Sequence, residues 1–292
     1  MKSTWKLPKL IYRTAMLKLS HADSDQTADY DTAAASYDAY YSQNLGKSAL
    51  GMLQKLPVGE GQYVLDLACG TGFFTHRLAG KVGERGRVVA VDLSAGMLQR
   101  NQETAAEQGF SNITFVRSDA LSFLSGIADS SADGVVCAWG ICYMDHGKFI
   151  REVERVVKPG GFLGILENKA SSLKEISDLF SKVILDFPEA MIKNVNLNLP
   201  KDKNYLVKKF GQGKFRVQEA WEGQVLVPCQ NGDEVAEYMT KSGAAAGFID
   251  ALDKKLLPEV MRTFVSYADR RLAMGKPVPV RHEFCALVGI KA

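Results

Sequence analysis

The apolar positions of this 292-residue chain change period several times, and each change predicts an element. Tyr30, Ala34, Tyr37 and Tyr41 recur at helical spacing, and Leu45, Ala49, Leu53 and Leu56 continue it until Pro57 and Gly59 stop it. One or two helices therefore precede the first strand. That strand opens "VLDLACGTGFFTHRLAG", Val64 to Gly80: an apolar run ending in Asp66, a turn at Gly70-Thr71-Gly72, then apolar spacing at helical period. Next come "GRVVAVDLS" (strand), "AGMLQRNQETAAEQG" (helix closed by Gly109), "NITFVRSD" and "DGVVCAWG" (strands), "HGKFIREVERVVKPGG" (helix, then stop) and "GFLGILEN" (strand). Strands alternating with helices in this way predict βαβ units and a parallel sheet covered on both faces.

The second half is patterned differently. Ser172 and Glu175 read as a capping box before Ile176, Phe180 and Val183, and "FPEAMIKNVNLNLPKDKNY" then breaks the periodicity. "KFRVQEAWEGQVLVP" reads as a long strand. A helical segment is expected from Asp233 to about Ala246, another through Leu257, Met261, Phe264, Ala268 and Leu272, and a closing strand in "HEFCALVGIKA". The organisation expected is a basic arm over 1–28, a ligand-binding core over 29–169, a helical cap over 170–213 inserted after the fifth strand, and the rest of the core over 214–292. An open α/β sheet binds its ligands where that cap would sit.

Composition excludes more than it assigns. The formal charge of +3, from 36 basic and 33 acidic residues spread along the chain, is too small a bias to argue for nucleic acid. Five cysteines without a C-x-x-C pair suggest neither a disulfide framework nor a zinc knuckle, which fits a reducing cytoplasm. The first 21 residues hold Lys2, Lys6, Lys9, Arg13 and Lys18 and no acid, and the charges interrupt the apolar residues, so neither a signal peptide nor a membrane span is read there. Such an arm, carrying Trp5, Leu10, Ile11 and Leu17, packs on its own domain, on a second copy in a homodimer, or on an anionic membrane surface.

The glycine turn narrows the chemistry. In a dinucleotide fold the third glycine of G-x-G-x-x-G lets the helix pack against the strand and a pyrophosphate lies on the helix start. Here Thr75 takes that glycine's place, and Asp66 puts negative charge where the pyrophosphate would lie. Like charges in a partly buried site repel strongly. S-adenosylmethionine, which has no phosphate and carries an ammonium to pair with Asp66, suits the turn better, with its carboxylate facing the amides of the helix start around Ala68, Gly70 and Gly72. Asp92, 22 residues beyond Gly70, can take both ribose hydroxyls. Ser118-Asp119-Ala120 can take the adenine amino group, and Leu93 and Met97 can flank the ring. Each has a plain structural reading too: Ser94 or Asp92 as a helix cap, Met97 as core.

"VLDLACGTG", "VVAVDLSAGML", "VRSDA" and "FIREVERVVKPGGFLGIL" resemble, in order, the motifs of class I S-adenosylmethionine-dependent methyltransferases, especially the small-molecule branch that includes the quinone-biosynthesis enzymes. The resemblance covers about Asp29 to Glu167. It implies a Rossmann-like, doubly wound seven-stranded sheet with the last strand antiparallel, plus a helical cap, and it puts Tyr30 and Tyr37 near the methionine end of the cofactor. Methyl transfer from a sulfonium is an in-line displacement, so alignment and exclusion of water dominate, and a base is needed only where the acceptor loses a proton. Tyr143 and His146 in "AWGICYMDH" are the catalytic candidates, with Trp139 as a cofactor or substrate wall and Cys142 as a small apolar liner. Asp145, Glu167 and Asn168 could offer Mg²⁺ hard oxygen ligands, though Asp145 suits a helix cap equally, and no metal is assigned. Base-modifying methyltransferases carry an Asn/Asp-Pro-Pro-aromatic turn where this chain reads Ala138-Trp139-Gly140-Ile141, so a nucleic-acid substrate is disfavoured. The expected function is methyl transfer to a small, rather apolar acceptor under the cap. A non-catalytic cofactor-binding partner or regulatory subunit is the alternative. A nicotinamide oxidoreductase is the third reading, opposed by Asp66 and Thr75.

Overall fold

The structure, a computed structural model, describes residues 6–211, 213–275 and 278–292. Lys2 and Trp5 of the basic arm lie outside them. In chain order the elements are α1 (Lys6–Leu19), α2 (Thr27–Tyr37), a π-helical turn (Asp38–Ser42), α3 (Gln43–Lys55), β1 (Tyr63–Leu67), α4 (Phe73–Val82), β2 (Arg87–Asp92), α5 (Ala95–Glu107), β3 (Ile113–Arg117), α6 (Ala120–Ser125), β4 (Ala132–Ala138), α7 (His146–Val156), β5 (Val157–Asn168), α8 (Lys174–Asp186), α9 (Lys203–Phe210), β6 (Phe215–Val227), α10 (Gly232–Lys241), α11 (Leu257–Ala273) and β7 (Val280–Lys291). The seven strands form one sheet in the order β3-β2-β1-β4-β5-β7-β6. β1 pairs in parallel with β2 and β4, and β5 pairs antiparallel with β7 from Phe162↔Ile290 to Asn168↔Phe284. This is the doubly wound sheet with its antiparallel last strand that the motifs implied.

The chain divides into two compact units. One comprises Tyr41–Ser172, Leu197–Gln224 and Glu283–Ala292. Its central strands are apolar on both faces, with Leu65, Val135 and Leu163 fully buried on one and Val64, Val136 and Leu166 on the other, as a sheet covered by helices requires. α7 presents Phe149, Ile150, Val153 and Val156 to this core at three- and four-residue spacing. The strand order reverses between β1 and β4, and open α/β sheets bind ligands at the carboxyl ends beside that point.

The other unit comprises the chain up to Tyr40, Leu173–Asn196 and Val225–His282. Its core gathers Ile176, Leu179 and Val183 of α8, Val235 and Tyr238 of α10, and Val260, Phe264 and Ala268 of α11. Two local expectations fail in it. The capping box does not form: α8 starts at Lys174 behind Leu173, with no side-chain cap, and the Ser172 hydroxyl is engaged with Asn168 and the Glu283 amide instead. α10 ends at Lys241 rather than Ala246, because Gly243 turns the backbone to φ +71. Among the described residues no helix is long and apolar enough to cross a membrane.

Candidate active site

After β1 the chain leaves the sheet through Ala68 at φ +53, Gly70 at φ +54 and Gly72 at φ +98, so the turn is left-handed at three points. Alanine adopts that region only at a cost, and such strain gathers at functional sites. The two glycines serve different ends. A Cβ on Gly72 would lie 2.3 Å from Asn101 Oδ1 and 2.5 Å from His76 Cε1, whereas a Cβ on Gly70 would meet nothing within 4 Å. Gly72 lets the turn seat on its support; Gly70 leaves open space above it. α4 begins behind Gly72 without a side-chain cap.

The support is a chain of buried and half-buried hydrogen bonds. Asp92 at the end of β2 accepts from the Gly70 amide through Oδ2 (2.8 Å) and from the Ser94 amide through Oδ1 (2.9 Å). Asn101 of α5 donates from Nδ2 to the Gly70 carbonyl (3.3 Å) and to Thr75 Oγ1 (3.1 Å), and Thr75 donates to Asp66 Oδ2 (2.6 Å). Gly70 is thus held through both its amide and its carbonyl. Thr75, where a dinucleotide fold would have its third glycine, is fully buried and serves as the link to Asp66. The Asp66 carboxyl is itself almost fully buried; burial, with the Asp92 charge adding to it and the Thr75 bond opposing, pushes it up to about 7.

The predicted adenosine contacts stand side by side. The Ser118 amide donates to the Asp92 carbonyl (3.1 Å), which sets the end of β3 beside the end of β2. Asp119 caps α6, its Oδ1 accepting from the Leu121 and Ser122 amides, with Ala120 buried just behind it. Ser94 caps α5 by accepting from the Met97 amide. Leu93 is exposed beside Asp92, while Met97 is buried. Tyr30 and Tyr37 belong to the other unit, where their rings meet edge to face at 6.3 Å against the Gly243 turn.

The ends of β4 and β5 form a second cluster in the same unit. Trp139, at φ +61, stands edge-on to Tyr41 (5.9 Å) and to Phe284 (6.0 Å), and Asn168 donates to the Tyr41 hydroxyl (3.3 Å). A Cβ on Gly140 would lie 2.4 Å from the Ala68 Cβ, so the loops after β1 and β4 touch there. Glu167 is buried and accepts from the Asn168 amide (2.7 Å) and the Cys142 amide (3.1 Å); burial outweighs those bonds and raises it to about 7. Burial and the nearby Glu167 also hold the Cys142 thiol far above its ordinary range, which fits an inert liner.

His146 has both ring nitrogens engaged. Nε2 faces the Ile141 carbonyl at 3.0 Å and must carry the proton there, so neutral Nδ1 accepts from the Tyr205 hydroxyl at 2.8 Å. Burial lowers its pKa, so the neutral form is favoured. Tyr143 lies half-buried in the one-turn 3₁₀ helix after β4. Asp145 caps α7 by accepting from the Lys148 amide (2.7 Å). Asp145 thus serves as the helix cap that the sequence equally allowed, and both Glu167 oxygens accept from backbone amides. No cluster of three metal-ligating side chains occurs among the described residues.

Three residues of the site escaped the sequence reading. Asn101 carried a signal: it falls with Met97, Leu98 and Ala105 on the buried stripe of α5, where a polar side chain needs a reason. Tyr41 was read only as one step in a helical period. Phe284 reaches Trp139 from the last strand, and no local pattern announces a partner 145 positions away.

A sheet of this order, with a glycine turn after β1 and an acid ending β2, defines the Rossmann-like methyltransferase class. Within it the chain belongs to the ubiE/COQ5 methyltransferase family, which matches residues 47–210. It is similar to the demethylmenaquinone methyltransferase of Anoxybacillus flavithermus, 33% identical over 129 residues that make up 44% of this chain and 54% of that protein. It is also similar to the ubiquinone/menaquinone biosynthesis C-methyltransferase UbiE of Hahella chejuensis, 35% identical over 144 residues, 47% of this chain and 57% of that protein. The matched part spans about half the length of these curated relatives. Among solved structures the fold is similar to the YcgJ protein of Bacillus subtilis (17% identity, TM-score 0.55, 84% of this chain and 98% of that one). It is also similar to geranyl diphosphate C-methyltransferase of Streptomyces coelicolor A3(2) (12% identity, TM-score 0.52, 85% and 79%).

Proposed function

We propose that this chain transfers a methyl group from S-adenosylmethionine to a small, rather apolar acceptor, with a quinone-type ring the first class to test. The observation that carries the reading is the open space over Gly70, flanked by Asp92 and by Ser118-Asp119 at successive strand ends. When bound, S-adenosylmethionine supplies a methyl on a positive sulfur: the acceptor atom bonds to that carbon, the carbon–sulfur bond breaks with its electron pair going to sulfur, and the acceptor's proton leaves.

The chain's own residues would bind, orient and dry the site. Asp92 would hold the ribose while anchoring Gly70, and the Asp119 oxygen not spent on the α6 cap would face the adenine amino group. Trp139, Tyr41 and Phe284 offer apolar walls that exclude water, and Tyr143 is the candidate to hold or take the acceptor's proton. His146, its nitrogens committed to Ile141 and Tyr205, would brace the loop that carries Tyr143. The names of the relatives support a quinone-type acceptor, and the five free cysteines are consistent with the reducing cytoplasm.

Calorimetry with S-adenosylmethionine and its demethylated product, beside a product assay across quinols, phenols, amines and thiols, tests the reading. Asp92→Ala should weaken both ligands by about 1.5–3 kcal/mol, roughly 10- to 150-fold, as expected for hydrogen bonds to a charged group. Binding without any product would leave a non-catalytic partner. Absence of binding would end the proposal.

A further inference from the structure

The helix α1 has two faces of opposite character, both plain from its side chains. Its inner face is fastened within its own unit: Lys6 pairs with Asp186 (2.6 Å), Lys9 with Glu189 (3.1 Å), Arg13 donates to the Met191 carbonyl, and Leu10 packs on the apolar cluster around α8. Of the arm residues singled out in the sequence, Leu10 and Leu17 are partly covered and Ile11 points out. The outer face is Leu7, Ile11, Tyr12, Met16 and Leu19, each between 46% and 75% exposed. At 100° per residue these five fan over one half of the helix, and the only charged residue among them is Lys18. Lys9 stands at one rim of that half and Lys18 at the other.

We propose that this face docks on an anionic lipid bilayer, with α1 lying in the headgroup layer. Fourteen residues of helix reach only about 21 Å, too short to span the hydrocarbon but suited to lying in the interface. Charge selects the occupant. α1 carries four cations and no acid, and the sequence has no acid before Asp23. Lys18 has no ion pair among the described residues. A second copy seated on the same face would bring two all-cationic helices together, whereas anionic headgroups supply the counter-charge that Lys18 lacks and add to that of Lys9. Lysine stems can lie along the apolar face while the ammonium groups reach the phosphates. The docking stands apart from the methyl-transfer reading and would bring the chain to the phase in which an apolar acceptor dissolves.

Co-sedimentation of the full chain with phosphatidylcholine vesicles, with and without phosphatidylglycerol, at low and high salt, tests it. The chain should bind the phosphatidylglycerol vesicles, less so at high salt, and the neutral ones weakly. Ile11→Glu with Met16→Glu should cost about tenfold or more in that binding, because charged side chains then face the acyl boundary. Melting temperature and S-adenosylmethionine affinity should not change. Lys18→Glu, on an exposed position, should weaken binding several-fold. The proposal is overturned if the chain stays in the supernatant with both vesicle types, or if binding ignores salt and Lys18→Glu, or if the double variant binds as well as the parent. It is equally overturned if sedimentation velocity shows a dimer that the double variant dissolves while vesicles go unbound. Vesicle binding is read without any methyl transfer, so a chain that docks but transfers nothing refutes only the enzymatic reading.

Discussion

Among the described residues, buried carboxyls occur in one unit only, whereas both units bury histidine. The unit with the glycine turn encloses two carboxyls, Asp66 and Glu167, each below a strand end and each held by donors that its own loops supply. The other encloses a histidine, His282, almost fully buried and hydrogen-bonded to the Tyr238 hydroxyl (2.8 Å). In the first unit Asp66, Thr75 and Asn101 form one chain of bonds under the glycine turn. In the second they tie distant segments: Asp29 takes the amides of Gly247 and Asp250, and Lys193 pairs with Asp250 (2.7 Å). Polar burial in one unit fixes the turn proposed as the cofactor's seat, and in the other it closes a fold.

The largest effect expected separates Gly70 from Gly72. Both need a left-handed backbone, which costs an alanine about 1–2 kcal/mol. At Gly72 the added Cβ also collides with Asn101 and His76, so overpacking adds roughly 1–3 kcal/mol and the unit should melt well below the parent. Gly70→Val should fold with only the backbone penalty and lose the cofactor, since its side chain enters the open space. Melting curves and calorimetry on both variants decide it. A Gly70→Val protein that binds S-adenosylmethionine normally would show that the space is not the cofactor's seat.

Next in size is a pH dependence of opposite sign for the two buried carboxyls and for His282. Asp66 and Glu167 sit at about 7 in the fold against 3.8 and 4.5 unfolded. Between pH 4 and 7 the folded chain therefore keeps protons that the unfolded chain has lost, and stability falls as pH rises, by up to about 4 kcal/mol per carboxyl. Burial takes His282 down to about 4 from 6.5. There the unfolded chain gains the proton, and stability is lost as pH falls from about 6.5 to 4, by about 3 kcal/mol. Denaturant titrations across this range should show Asp66→Asn and Glu167→Gln flattening the loss toward neutral pH, and His282→Gln flattening the loss toward acid. Variants with the parent's slope would break the contrast.

The same contrast explains what the sequence made legible. The sheet unit could be read because its signals are local: apolar runs that end in Asp66 or Asp92, a glycine pair, and the α7 stripe are all complete within about a dozen residues. The antiparallel last strand came from the family resemblance rather than from any pattern. The other unit resisted because its determinants lie far apart. Lys6 and Asp186 are 180 positions apart, and Asp29 and the Gly247 amide it accepts from are 218 apart. His146 shows the limit within the readable unit. Its place after β4 was visible, but Tyr205, which occupies Nδ1, comes from α9, 59 positions on.

The smallest effect concerns Asn101, where magnitude separates a role in the turn from a role in the core. Its Nδ2 donates to Gly70 and Thr75, but its buried Oδ1 has no partner. An unpartnered buried acceptor costs about 1–3 kcal/mol, and two neutral hydrogen bonds return about 0.5–1.5 kcal/mol each. Asn101→Ala removes the cost and the gain together, so the central values cancel and stability should move by no more than about 2 kcal/mol in either direction. The Gly70 carbonyl, however, loses its anchor, and Gly70 is left with the Asp92 bond to its amide. Affinity for S-adenosylmethionine should then fall about 2- to 12-fold, the equivalent of one such bond. Tyr238→Phe is the control from the other unit: it removes the buried hydroxyl that bonds His282 and should lower stability while leaving the affinity alone. Calorimetry beside chemical denaturation reads both quantities. An Asn101→Ala protein that loses stability and keeps its affinity would make Asn101 a core residue like Tyr238, and the distinction between the two units would fail at that position.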